Sequence, residues 1–91
     1  MKADQWIDRV KKARGWDSDY RVANELNLTR QAVSGYRRKP MTLDEVTAVK
    51  VAEILGLNPA GIIIDQVAER SKDDSVRATL HKMAAELCIL C

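Results

Sequence analysis

The stretch NELNLTRQAVSGYRRKP, residues 24–40, decides how the rest of the chain is read. Two apolar-periodic segments meet there at Asn27-Leu28, and the second ends in Arg37, Arg38, Lys39 and Pro40. Asn27 tolerates the left-handed backbone conformation that a sharp turn between helices requires. Thr29 is a natural N-cap for the segment that follows, and Pro40 prevents that segment from running on. So few connecting residues cannot bring two helices antiparallel, so the helices must cross steeply. Ala23 offers a small side chain where the backbones approach, and Leu26, Leu28 and Val33 are placed to fill the wedge. The pattern is that of a helix-turn-helix.

With Ala32, Val33 and Tyr36 turned inward, helical spacing sends Arg30, Gln31, Ser34, Arg37 and Arg38 to the opposite face. These are residue types that read base edges in a major groove: Arg pairs bidentately with guanine, Gln with adenine, and Ser contacts either. Arg37, Arg38 and Lys39 stand where a helix leaves the groove and meets phosphate, and Arg21 on the preceding helix has the same use. Gly35 costs about 1 kcal/mol relative to alanine in a helix interior. A need for little bulk beside a groove wall is the expected reason.

Working outward, every other segment also carries a helical period. Residues 2–14 place Ala3, Trp6, Ile7, Val10 and Ala13 on one stripe, stopped by Gly15, with Lys11, Lys12 and Arg14 suited to the negative end of the helix dipole. Ser18 or Asp19 caps a second helix bearing Val22, Ala23 and Leu26. Thr42-Leu43-Asp44-Glu45 matches a capping box and opens a fourth helix to about Leu55, with Leu43, Val46, Val49, Val51, Ala52, Ile54 and Leu55 apolar and Gly56 closing it. Asn58-Pro59 restarts the chain as a cap with proline at the first helical position. A fifth helix is expected through Ile62, Ile63, Val67 and Ala68, although three consecutive isoleucines favour β structure locally. A last segment begins near Ser75 and spaces Val76, Leu80, Met83, Leu87 and Leu90 by four, three, four and three. The expected fold is all-α, five to six short helices around a central helix-turn-helix. Residues 1–74 form the helix-turn-helix domain, and residues 75–91 a C-terminal helix for packing or dimerisation.

Composition bounds the function. Ninety-one residues suffice for one small domain. The net charge of +2 conceals a split: residues 1–41 hold ten Lys/Arg against five Asp/Glu, and residues 42–91 five against eight. The basic half suits a polyanion. No apolar run approaches the roughly 18 residues of a membrane span, and the N-terminal residues do not form a secretory leader. Two cysteines without an export signal suggest a cytoplasmic protein with reduced thiols.

Residues 19–40, followed by TLDEVTAVKVAEILGLNPAGII, resemble the Cro/lambda-repressor-like (XRE-type) helix-turn-helix family of phage and prophage regulators. The resemblance spans residues 6–64, about two-thirds of the chain. It rests on Ala23, Leu26, the Asn27-Leu28 turn and Ala32-Val33, together with AEILGLNPAGII at the junction of helices four and five. It implies a recognition helix in the major groove, with Thr29, Arg30, Gln31 and Ser34 reading bases. Phosphate contacts would come from Ser18, Tyr20, Arg21, Arg37, Arg38, Lys39 and Thr42. The chain differs from the family in having Asn27 where glycine is commonest. It also places Asp17 and Asp19 where the second helix usually offers phosphate a neutral donor, which leaves Ser18, Tyr20 and Arg21 to supply that contact.

The C-terminal stripe Val76, Leu80, Met83, Leu87 and Leu90 spans barely two heptads, too short for an independent coiled coil. It serves either to pack on the core or to form a homodimer, and two-fold dimers read half-sites one helical turn apart. His81, Cys88 and Cys91 do not make a convincing metal site, because His81 and Cys88 lie about 10.5 Å apart along a helix axis. Neither metal nor cofactor is expected, nor a small-molecule ligand. An enzyme is disfavoured by the single histidine and by the lack of a nucleophile elbow or phosphate-binding glycine loop. The expected partners are double-stranded DNA and a second copy of the chain, acting through a pseudo-palindromic site as a repressor does. The competing reading is an antitoxin-like interaction module, in which the acidic C-terminal half grips a protein partner and DNA binding is autoregulatory.

Overall fold

The described residues of the chain fold into six helices whose ends follow the local capping chemistry. The computed structural model describes residues 1–39 and 41–89. The proline stop at Pro40, the last stripe position at Leu90, Cys91 and the side chain of Cys88 lie outside the described residues. Helix α1 (Ala3–Arg14) ends at Gly15 with φ 69°, a left-handed position that a Cβ would strain. Helix α2 (Asp19–Glu25) opens under Ser18, whose hydroxyl accepts the Arg21 N–H. Helix α3 (Arg30–Arg38) opens under Thr29, whose hydroxyl accepts the Ala32 N–H at 3.0 Å. Helix α4 (Glu45–Leu55) closes at Gly56, and α5 (Pro59–Arg70) starts under Asn58 with proline in its first turn. Helix α6 (Asp74–Ile89) is the last element among the described residues. No strand occurs among the described residues, so Ile62-Ile63-Ile64 is helical.

Three expectations need correction. The fourth helix is capped by Asp44, not Thr42: the Asp44 carboxylate accepts the Thr47 N–H at 2.9 Å. A carboxylate there both satisfies an orphan amide and meets the positive end of the helix dipole. Leu43, just before the cap, is buried beside Ala48 as a hydrophobic staple. Val46 faces solvent, and Thr47 takes the inward place. Ala13, the last member of the α1 stripe, is also exposed.

The core joins Trp6, Ile7 and Val10 of α1 to Val22, Leu26 and Tyr36 of the helix-turn-helix, and to Ala48, Val51, Ala52 and Ile62 behind it. Trp16 lies partly buried against this cluster. A polar seam crosses the core at Asp65 and Gln66 of α5. Asp65 accepts the Trp6 indole N–H at 3.0 Å, the Gln66 amide at 3.0 Å and the Met1 amino group at 2.7 Å. Gln66 in turn accepts the Leu43 N–H at 2.9 Å. These bonds hold α1 and the entry to α4 against α5, and among the described residues no buried side-chain polar atom lacks a partner. Helix α6 packs chiefly on α5.

Candidate nucleic-acid interface

The turn between α2 and α3 is built as its sequence requires. Asn27 adopts φ 56°, and the Leu28 N–H donates to the Ala23 carbonyl at 2.8 Å. Val22, Ala23, Leu26 and Val33 are buried in the angle between the helices. With that face committed to the core, the outer edge of α3 is left to solvent. Arg30, Gln31, Arg38 and Lys39 are exposed there, and Ser34 is half-exposed. Among the described residues the side chains of Gln31 and Ser34 make no hydrogen bond, and Arg38 and Lys39 have no ion pair. Their donors are therefore available to an incoming acceptor. An open cleft of about 400 Å³ runs between α2 and α3, lined by Tyr20, Arg30, Ser34, Arg38 and the pair Asp19–Arg37.

The other residues expected to touch DNA are already engaged to different degrees. Thr29 and Ser18 serve as caps, each using an oxygen lone pair while its hydroxyl can still donate. Arg21 pairs with Glu25 at 2.9 Å and lies 5.8 Å from the Trp16 ring centre. Thr42 accepts a hydrogen bond from Arg70 of α5 at 3.1 Å, at the surface.

Arg37 has the most developed environment. Its Nε donates to one Asp19 oxygen at 3.0 Å and its Nη2 to the other at 2.8 Å, with a further 2.8 Å bond to Asp8. Lys11 reaches Asp19 from α1 at 3.0 Å. The hydrogen bond from Arg37, then that from Lys11, hold the Asp19 carboxyl down at about 2, and the hydrogen bonds to Asp19 and then Asp8 raise Arg37 above its ordinary value. Arg37 thus clasps α3 to the first turn of α2 and to α1. Partners 18 and 29 residues distant leave no local signal, so the sequence shows only a basic helix end.

Gly35 also has a close neighbour that the sequence does not show. A Cβ at this position would come 2.7 Å from Met41 Sδ, so the glycine makes room for the side chain that follows α3. Near the turn, the Arg30 guanidinium carbon sits 5.4 Å from the centre of the Tyr20 ring, a contact invisible in the sequence.

On α6, Ala84 is buried, Leu80 and Leu87 are half-buried, and Val76 and Met83 are 48% and 43% exposed. His81 lies 3.4 Å from Asp65 and 3.6 Å from Glu69, and Arg77 pairs with Glu69 at 3.4 Å, so α6 meets α5 through polar as well as apolar contacts. Among the described residues, no group of three His, Cys, Asp or Glu side chains is arranged to hold a metal ion, and no helix is long and apolar enough to cross a membrane. In comparisons with protein-family models, curated proteins and solved structures, nothing matches this chain.

Proposed function

We propose that this chain is a sequence-specific DNA-binding transcriptional regulator, a repressor of phage or prophage type that acts in the cytoplasm as a homodimer on a pseudo-palindrome. The observation that carries this reading is the pairing of a buried helix-turn-helix wedge with an unencumbered outer edge on α3. Arg30, Gln31 and Ser34 are the base-reading side chains, with Thr29 at the helix entrance. Arg38 and Lys39 hold phosphate, assisted by Ser18 and Arg21, while Arg37 and Thr42 serve the fold first. Repression follows from occupying a promoter, at a level set by protein concentration. Dimerisation is supported by the apolar side of α6, where Val76 and Met83 stand open beside half-buried Leu80 and Leu87. The same surface would grip a protein partner in the antitoxin-like reading, which becomes the better one if no specific DNA site exists.

The test is selection of binding sites from random duplex DNA at two salt concentrations. An enriched inverted repeat supports the proposal. Salt-sensitive binding without an enriched site leaves only the electrostatic component and overturns it. Arg30→Ala and Gln31→Ala should each cost about 1–3 kcal/mol at the selected site and relax its sequence, whereas Lys39→Ala should weaken all sequences alike and reduce the salt slope by about one.

A further inference from the structure

Arg30 differs from the other cations of the helix-turn-helix in what holds it. Arg37 is bound to two carboxylates and Arg21 to Glu25, but Arg30 has no ion pair and no side-chain hydrogen bond among the described residues. It is also the first residue of α3, where the helix dipole is positive and a cation gains nothing from the backbone. What it has is the ring of Tyr20, 5.4 Å from its guanidinium carbon. Such a contact uses the charge and the face of the guanidinium and leaves its N–H donors unspent.

The backbone that carries Tyr20 is itself well fixed. The residue follows Asp19, which is tied to Arg37 of α3 and Lys11 of α1. Its helix starts under the Ser18 cap. The ring nevertheless remains 58% exposed, on the wall of the cleft that α3 shares with α2. A long arginine on a solvent-facing edge ordinarily loses rotamer freedom when it binds, and a ring already in contact with it removes part of that cost in advance.

We propose that Tyr20 is a positioning residue for base recognition: its ring holds the Arg30 guanidinium over the groove so that its donor edge meets guanine. This rests on the DNA-binding reading above and assigns Tyr20 to sequence selectivity, in place of the phosphate contact expected from the sequence. The phenolic hydroxyl is dispensable in this role and the aromatic face is not.

The experiment is binding-site selection and affinity measurement with Tyr20→Phe, Tyr20→Leu, Arg30→Lys and the Tyr20→Leu/Arg30→Lys pair, each checked by thermal unfolding. The expected result is that Phe retains the wild-type site. Leu should lose about two- to fivefold in preference at one base pair, the scale of an exposed cation–π contact. Arg30→Lys should relax that same base pair, and the double variant should fall short of the product of the two single losses. If Phe and Leu weaken all sequences alike, the hydroxyl is a phosphate donor and the proposal is overturned. Unchanged selectivity in Tyr20→Leu overturns it equally, while leaving the DNA-binding reading intact. Absence of any selected site for the wild type would remove both.

Discussion

A Cβ on Gly35 would approach the Met41 sulfur to 2.7 Å, yet Met41 is an exposed, flexible side chain with room to swing away. Gly35→Ala should therefore gain most of the roughly 1 kcal/mol of helix propensity and lose a little packing, for a net change between zero and 1 kcal/mol of stabilisation. At Gly15 and Gly56 the balance reverses. Their φ values of 69° and 68° are left-handed, and alanine should cost about 1–2 kcal/mol there. Urea unfolding of the three alanine variants checks the ordering. Duplex binding adds a discriminating reading: if Gly35→Ala folds as predicted but binds DNA much more weakly, the glycine serves the groove wall after all. The residue identities at these positions were legible in the sequence, but their reasons were only partly so. A left-handed stop is a local matter, whereas the room needed by Met41 exists only once the chain has turned back after α3.

At the scale of elements, caps hold the helix ends and one ionic clasp holds three helices together. Asp44→Ala should destabilise by about 1 kcal/mol, since it removes the acceptor for the Thr47 amide, while Thr42→Ala should cost distinctly less because Thr42 caps nothing. Equal losses would restore the capping box suggested by Thr42 and Glu45. The clasp makes a prediction in pH. Folding depresses the Asp19 carboxyl to about 2, below its value near 4 in an unfolded chain, so between those values the unfolded state binds more protons. Its contribution is therefore complete above about pH 5 and is lost as pH falls through 4 towards 2. Asp19 is 39% exposed, and solvent screening limits the effect to about 1 kcal/mol. Chemical denaturation from pH 6 to 2 should show a flatter acid slope for Asp19→Asn than for wild type, and parallel slopes would refute the assignment. Helix existence and most boundaries were readable because periodicity and capping act within a few residues. The clasp was hidden because Asp8, Asp19 and Arg37 are brought together only by the crossing of α1, α2 and α3.

For the whole molecule the same division explains what periodicity left out. Asp65 and Gln66 occupy core-facing turns of α5 but are polar, so a pattern of apolar spacings passes over them even though they bond Trp6, Leu43 and the Met1 amino group. The C-terminal stripe presents the converse case: its regular spacing was plain, but its neighbour was not. Helix α6 presents buried Ala84 and the polar contacts of Arg77 and His81 towards α5, which leaves the stripe at the margin of that seam with Val76 and Met83 open. If a second copy covers this margin, Met83→Glu should give single chains in sedimentation at concentrations where wild type is dimeric. Because Met83 is 43% exposed, its melting temperature should hardly move when each protein is measured as a single chain. The affinity for a full inverted repeat should fall about a hundredfold or more, since the second half-site is no longer delivered at a high effective concentration, while affinity for one half-site stays the same. Ala78→Glu, about 140° round the helix from Met83, is the matched control and should leave both measurements unchanged. A Met83→Glu protein that still dimerises and still binds the full repeat would move the dimer seam away from α6 altogether.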